Sequence, residues 1–182
     1  MARWINLANL FTFVRLVLVP FVIRAILEGR HGLALALFIS AAVTDVLDGA
    51  AARHLGIQTQ AGSYLDPIAD KCLLSGVFLA LAVSRLAPWW LVGIIFGRDI
   101  YILGAVGAAL WLTRLRSFPP SVWGKVSTFV QIATAVGYLV RNVVELRLVD
   151  TFSDAMLWPC TAFTVWSGIH YTRRGIQLVR AH

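Results

Sequence analysis

The sequence predicts an all-α fold: a polytopic membrane protein built as a bundle of six transmembrane helices. Its 182 residues are 59% hydrophobic and only 14% charged, with a mean hydropathy of +0.76, whereas soluble domains are about 45–50% apolar and about 25% charged. Apolar runs near the roughly 20 residues that cross a bilayer recur along the whole chain. No length remains for a sizeable soluble domain, so residues 1–182 are expected to form a single domain.

Charged segments and Gly/Pro clusters separate the six predicted spans. The first lies in "MARWINLANLFTFVRLVLVPFVIRAIL", whose apolar stretch is too long for a signal peptide and is therefore expected to be a retained helix. The breaks are "EGRH", "GIQTQAG", "RLAP", "RLRSFPPS" and "ELRLVD". The resulting spans cover 9–27, 32–56, 62–85, 88–113, 121–146 and 154–173.

The distribution of basic residues predicts the orientation of the bundle. A cytoplasmic N-terminus places ten basic residues on that side of the membrane and five on the other, and basic loops favour the cytoplasm. Both termini and the 56–62 loop are therefore expected to be cytoplasmic. The net charge of +7 indicates contact with anionic headgroups and phosphorylated substrates rather than nucleic acid, because no long basic run or interleaved aromatic stripe is present.

Four carboxylates lie in the second and third spans, within "TDVLDGAAARHLGIQTQAGSYLDPIADK". Asp45 and Asp48 are three residues apart, and Asp66 and Asp70 are four apart, so each pair projects from one face of its helix. A short loop joins the two helices, which are expected to be antiparallel neighbours whose acidic faces meet. Four ionised carboxylates in a partly desolvated site are strongly unfavourable unless they are protonated or neutralised.

Oxygen ligands without supporting His or Cys indicate one or two hard cations, Mg²⁺, Mn²⁺ or Ca²⁺ rather than zinc. Paired ions of this kind stabilise oxygens in phosphoryl transfer. One alternative is that the aspartates cap helices or pair with Arg53 and Lys71, but four at helix-face spacing favour the metal site. Another is the ion path of a cation transporter, which predicts acidic residues spread across membrane depth; here they cluster on two helices near one side.

The pattern from residue 45 to residue 70 is D-x2-D-G-x2-A-R-x8-G-x3-D-x3-D. It resembles the signature of the CDP-alcohol phosphotransferase family at every fixed position. Those positions are Asp45, Asp48, Gly49, Ala52, Arg53, Gly62, Asp66 and Asp70. The resemblance implies an enzyme that transfers a phosphoalcohol unit from a CDP-linked donor to a hydroxyl acceptor and releases CMP.

The resemblance also implies a role for each signature residue. The four aspartates would hold one or two ions, Mg²⁺ or Mn²⁺, and Asp70 would in addition act as the general base on the acceptor hydroxyl. The CDP site would be formed by Asp48, Gly49, Ala52, Arg53 and Gly62. The resemblance further implies a homodimer in contact with membrane lipids; the expected location is a bacterial inner membrane, with the active site facing the cytoplasm as the basic residues predict.

The opening "NLANLFTFVRLVLVP" is similar to the start of the phosphatidylglycerophosphate synthase and cardiolipin synthase branches of this family. Asn9, Thr12 and Arg15 fall on successive helical turns. By this resemblance Asn9 and Thr12 join the CDP site, although helix capping is an alternative role for both. Ala8 stands where these branches usually have proline.

A second basic cluster, formed by Arg98, Arg116 and Lys125, is expected to bind the phosphate of the acceptor. Two structural alternatives stay open: Arg98 and Asp99 form an ion pair that holds the bundle, and Lys125 extends towards the membrane interface. The predicted reaction is transfer of a phosphatidyl group from CDP-diacylglycerol to glycerol 3-phosphate, giving phosphatidylglycerophosphate. The alternative acceptor is phosphatidylglycerol, which gives cardiolipin.

Overall fold

The computed structural model describes residues 7–55, 60–112, 122–144 and 146–180. The side chains that it describes are those of residues 13–44, 69–105, 107, 122–144, 146–175 and 177. Within these ranges the chain forms six helices and no strand, so the all-helical, six-helix prediction is confirmed. The helices are α1 (Leu7–Leu27), α2 (His31–Leu55), α3 (Gln60–Val83), α4 (Trp89–Leu112), α5 (Val122–Arg141) and α6 (Arg147–Arg180). No helix in the described ranges is both long enough and apolar enough to cross a membrane.

The first four helices begin and end within two residues of the predicted spans, but the last two do not. α5 ends at Arg141 and α6 begins at Arg147, so the predicted break at 145–150 was wrong over its last four residues, 147–150. Hydropathy detects apolar runs, whereas a polar segment also forms a helix when its ends are stabilised. Asp150 lies in the first turn of α6, where its charge complements the helix dipole. The buried Ser153 then donates to the Gly137 carbonyl at 3.0 Å.

Two helices end in the same left-handed cap. After α1, Gly29 has φ +73°, and the amides of Gly29 and Arg30 donate to the carbonyls of Ile26 and Ala25. Both bonds define a Schellman motif, for which glycine is the favoured residue because it has no Cβ. After α3 the equivalent position is Arg85, with φ 58°. A non-glycine residue there strains the backbone.

The chain divides into two compact units, of which the first comprises Met1–Ala87 and Leu139–Glu145. In this unit α1 packs against both α2 and α3. Arg15 contacts Asp70, and Val19 and Ile23 face Gly76, so the contacts advance in the same direction along both helices and α1 runs parallel to α3. A Cβ atom at Gly76 would lie 2.8 Å from Ile23 Cδ1, which shows how closely these two helices approach.

The second unit comprises Pro88–Tyr138 and Leu146–His182. α4 packs against α6 and runs parallel to it, because its contacts advance from Trp90–Trp158 to Tyr101–Thr172. α5 runs antiparallel to α6. Its first turn contacts α6 at Trp166, and its last turns contact α6 at Ser153. The grouping of the two units into one domain stays a prediction.

Candidate active site

Arg15 is the largest fully buried side chain in the described part of the protein, with 1% of its surface exposed. Its burial follows from its register on α1, since Val22 and Ile26 lie seven and eleven positions further along and are also buried. A charged group on the packed face of a helix is unfavourable without a partner that compensates its lost hydration. The position of Arg15 therefore requires an acidic group on a neighbouring helix.

Asp70 on α3 provides that group. Nη1 of Arg15 donates to Oδ1 of Asp70, forming a salt bridge between residues 55 positions apart in sequence. The two ends of the pair differ in environment, because the side chain of Asp70 is 44% exposed while that of Arg15 is 1% exposed. The Asp70 carboxylate is thus accessible from outside the packed helices and is held from within them.

The other signature residues lie on the two helices that pack against α1. Asp45, Asp48, Gly49, Ala52 and Arg53 belong to α2, and Gly62 and Asp66 belong to α3. The side chains of these seven residues, and those of Asn9 and Thr12 on α1, lie outside the described set. Their predicted roles in metal and CDP binding stay predictions.

The donor set of the signature fits a hard divalent cation. Its four carboxylates supply only oxygen ligands, which Mg²⁺ and Mn²⁺ prefer. Asp70 is the signature aspartate whose side chain the structure describes, and its carboxylate lies at the surface of α3. Among the described side chains, no group of three or more His, Cys, Asp or Glu residues is placed to hold a metal ion. The fit therefore rests on the chemistry of the signature together with the position of Asp70.

Arg98 on α4 forms a second buried polar contact. Its Nη1 donates to Asp99 Oδ1 at 2.7 Å and its Nη2 donates to Ser167 Oγ on α6 at 2.5 Å. Both charged side chains are largely buried, with 9% of Arg98 and 17% of Asp99 exposed. The ion pair that the sequence offered as an alternative role for Arg98 is confirmed, and the bond to Ser167 joins it to α6.

A cavity of about 390 Å³ opens beside this ion pair, between α4 and α6. Arg98 and Tyr101 line it together with Gly93, Gly97 and Gly168. Cβ atoms added at Gly93 and Gly97 would meet no other atom within 4 Å, so the space beside these two positions is open. Arg98 thus borders a space of the size that a small ligand or part of a lipid requires.

The remaining members of the predicted acceptor site are Lys125 and Arg116. Lys125 is exposed on the first turn of α5, next to Trp123, which packs against Phe163 and Trp166 of α6. Arg116 lies outside the described residues. α4 and α5 therefore both contact the segment of α6 that contains Phe163 and Ser167, but no contact joins Arg98 to Lys125 among the described interactions.

A row of buried polar side chains joins α5 to α6. Gln131 Nε2 donates to Thr164 Oγ1 at 3.0 Å, and Ser127 Oγ lies 3.4 Å from the same atom. All three residues are at most 1% exposed. Such contacts between helices are typical of bundles whose outer surfaces are apolar. They fix the position of the α6 segment that holds Ser167.

The comparisons with known proteins agree with these features. The family model for CDP-alcohol phosphatidyltransferases matches residues 5–166. The chain therefore belongs to the CDP-alcohol phosphatidyltransferase family, and its predicted identification as an enzyme of that family is confirmed.

Its relatives fall into two groups by name. The chain is 35% identical to a probable phosphatidylglycerophosphate synthase of Mycobacterium tuberculosis, over 97% of this chain and 84% of the relative. It is 32% identical to the CDP-diacylglycerol–glycerol-3-phosphate 3-phosphatidyltransferase of Bacillus subtilis, over 96% and 97%. It is also 32% identical to a CMP-forming cardiolipin synthase of Rattus norvegicus, over 98% and 69%.

Proposed function

We propose that this protein transfers a phosphatidyl group from CDP-diacylglycerol to glycerol 3-phosphate, producing phosphatidylglycerophosphate and CMP. Family membership and the names of its relatives support CDP-diacylglycerol-dependent phospholipid synthesis. The observation that carries the proposal is the placement of the complete acidic signature on α2 and α3, the two helices that pack against α1. The signature is thereby carried by helices of one compact unit.

The signature supplies the groups that this reaction needs. Asp45, Asp48, Asp66 and Asp70 would hold one or two divalent ions. A bound Mg²⁺ or Mn²⁺ would neutralise charge on the diphosphate of the donor and stabilise CMP as it leaves.

Nucleotide binding is assigned to residues around these carboxylates. Gly49 and Gly62 carry no side chain, which permits the backbone to approach a phosphate or a ribose, and the guanidinium of Arg53 pairs with phosphate oxygens. Asp48, Ala52, Asn9 and Thr12 complete the proposed CDP site.

Asp70 is the proposed general base. Its carboxylate is partly exposed, so an acceptor hydroxyl can reach it, and the buried Arg15 holds it on α3. A carboxylate within hydrogen-bonding distance of an alcohol accepts its proton as the oxygen attacks phosphorus. The acceptor phosphate is proposed to bind Arg98, Arg116 and Lys125, and the cavity beside Arg98 supports part of that assignment.

A second candidate function replaces glycerol 3-phosphate with phosphatidylglycerol and yields cardiolipin. Its support is the 32% and 31% identity to CMP-forming cardiolipin synthases of Rattus norvegicus and Homo sapiens. The two reactions share donor, leaving group and base. They differ only in whether the acceptor is a soluble phosphate ester or a lipid.

We also propose a membrane location, with the bundle embedded in a bacterial inner membrane, the active site and both termini cytoplasmic, and a homodimeric assembly. Large apolar side chains are exposed on every helix of the described part, including Phe13, Leu103, Phe129, Leu148 and Trp158, each more than 60% exposed. Monomeric soluble proteins rarely expose so much apolar surface. A lipid environment for this surface also suits a donor whose acyl chains stay in the bilayer.

Product identification tests the reaction. Purified protein receives labelled CDP-diacylglycerol and, in separate reactions, glycerol 3-phosphate, phosphatidylglycerol, inositol phosphate or serine. We expect phosphatidylglycerophosphate only with glycerol 3-phosphate, loss of turnover in EDTA, and recovery with Mg²⁺ or Mn²⁺. Absence of CMP release with every acceptor would refute the proposal, and cardiolipin as the only product would establish the second candidate.

Asp70→Asn tests the base. This variant is expected to retain CDP binding and to lose at least about 100-fold in turnover, the usual contribution of a general base. Asp154→Asn, which removes an exposed carboxylate on α6, serves as the control and should keep parental turnover. Near-normal turnover of Asp70→Asn would exclude the assigned role.

A further inference from the structure

The Arg15–Asp70 salt bridge places a permanent positive charge against a residue of the proposed metal site. The guanidinium lies on the buried face of α1, and its partner is the last aspartate of the signature. A cation beside a set of carboxylates that bind cations lowers their affinity for metal. The charge of Arg15 therefore opposes metal binding, and any contribution of Arg15 to the site has to be of another kind.

The packing around the salt bridge shows what Arg15 provides. α1 and α3 approach so closely at Gly76 that a Cβ atom there would lie 2.8 Å from Ile23. The two helices are therefore in close contact about two turns from the salt bridge. Arg15 is 1% exposed and so has little freedom of its own. A carboxylate bonded to this guanidinium is therefore held in one orientation relative to α1, although 44% of its surface is exposed.

We propose that Arg15 is a positioning residue for Asp70. Its planar guanidinium fixes Oδ1 of the carboxylate, so that Asp70 faces the acceptor hydroxyl in a constant orientation, and its charge weakens the binding of divalent ions to the same site. This inference rests on the proposed role of Asp70 as the general base. Arg15 itself needs no contact with substrate, because it acts through the carboxylate.

A purely structural role for Arg15 makes a different prediction. If the salt bridge only joined α1 to α3, its loss would loosen the site and weaken metal binding. The proposed charge effect predicts the opposite change in metal affinity, because removal of a positive charge near the site favours a divalent cation by at least about tenfold at separations of several ångströms, the value for a water-like dielectric. Metal affinity therefore tests the charge effect without any measurement of activity, and the kcat values of the variants test the positioning.

The experiment compares three variants of the full-length protein in detergent with the parent. Arg15→Met removes the charge and keeps an unbranched apolar side chain similar to the arginine stem, and Arg15→Lys keeps the charge but not the planar fork. Arg24→Met is the matched control. Arg24 lies on the same helix and also pairs with a carboxylate, Glu28, at 2.6 Å, but its side chain is 76% exposed. Mn²⁺ alone is titrated into each protein, and free Mn²⁺ is measured by electron paramagnetic resonance.

We expect Arg15→Met to bind Mn²⁺ about tenfold more tightly than the parent and to lose about 100-fold in kcat, the effect of a misplaced catalytic group. Arg15→Lys should bind Mn²⁺ within about twofold of the parent and keep a kcat about tenfold above that of Arg15→Met. Arg24→Met should match the parent in both measurements. The KM for CDP-diacylglycerol should change little in all three.

Weaker or unchanged Mn²⁺ binding by Arg15→Met, or a kcat within about threefold of the parent, would overturn the inference. If Arg15→Met does not fold, Arg15→Lys decides the question. A kcat equal to that of the parent in Arg15→Lys would show that the planar guanidinium is not needed, and would overturn the inference. Failure of the proposed function is recognised separately. In that case the parent protein releases no CMP with any acceptor, whereas near-normal turnover of Asp70→Asn would exclude only the role of Asp70 as the base.

Discussion

Replacement of Arg98 tests whether the buried ion pair on α4 is structural, functional or both. Arg98→Met removes a guanidinium that bonds to Asp99 and to Ser167. The side chain of Asp99, which is 17% exposed in the parent, then lacks the bond to Arg98. Loss of one partner of a buried ion pair costs about 3–5 kcal/mol. The partial exposure of Asp99 favours the lower end, about 3 kcal/mol. For a protein of this length that corresponds to a decrease in Tm of about 6–12 °C.

The double variant Arg98→Met/Asp99→Leu separates the effect of the Asp99 charge, once Arg98 no longer compensates it, from the effect of the missing arginine. It replaces both charged groups with apolar side chains of similar volume, a change that is often neutral in other proteins. Its Tm should therefore return to within about 3 °C of the parent. Thermal unfolding in detergent, followed by tryptophan fluorescence, measures both variants. Arg24→Met, whose ion pair with Glu28 is exposed, should leave the Tm almost unchanged.

The stable double variant then tests acceptor binding. If Arg98 binds the acceptor phosphate from its position beside the cavity, the KM for glycerol 3-phosphate should rise at least about tenfold, the effect of a lost hydrogen bond to a charged group. The KM for CDP-diacylglycerol should stay constant. A double variant no more stable than Arg98→Met would refute the ion-pair argument. Restored stability with unchanged acceptor KM would limit Arg98 to a structural role.

Two further predictions concern stability. Arg85→Gly should raise Tm by about 2–4 °C, equivalent to about 1 kcal/mol, because Arg85 occupies a left-handed backbone conformation after α3 that glycine adopts without strain; an unchanged or lower Tm would contradict this. Ser153→Ala should lower Tm by about 2–4 °C, since it removes the buried hydrogen bond of 3.0 Å to the Gly137 carbonyl. Thr151→Ala is its control, because Thr151 makes only an exposed bond within its own helix, and equal losses in both variants would show that the contact with α5 contributes nothing.

The parts of the fold that the sequence predicted well are those controlled by local patterns. α1 to α4 are apolar runs bounded by charged residues and by Gly29 or Pro88, and these signals place helix ends within two residues. The family signature is also local, since its eight residues lie within 26 positions and their spacing is visible without a structure. The start of α6 was missed because its first turns are polar, and hydropathy does not respond to a favourable charge at a helix N-terminus.

The contacts that define the site were not predictable in the same way. Arg15 and Asp70 are 55 residues apart, and Arg98 and Ser167 are 69 apart. Such partners depend on which helices are neighbours and whether they run parallel. Sequence spacing placed Arg15 on the turn after Thr12, but gave no reason to assign it a partner on α3. The one available signal was a charged residue on the same helix face as Val22 and Ile26, a position that normally holds an apolar side chain.

The opposing charge of Arg15 has a consequence for stability as well as for catalysis. Ligands that bind only the folded state stabilise it by an amount that grows with affinity, so tenfold tighter Mn²⁺ binding adds about 1.4 kcal/mol at saturation. Saturating Mn²⁺ should therefore raise the Tm of Arg15→Met by about 3–6 °C more than it raises that of the parent. In EDTA the order is reversed, because Asp70 loses its neighbouring positive charge and the variant should unfold below the parent. Equal Mn²⁺-induced shifts in the two proteins would show that the charge of Arg15 does not affect metal binding. Arg15→Lys, which keeps that charge, should then show the same shift as Arg15→Met.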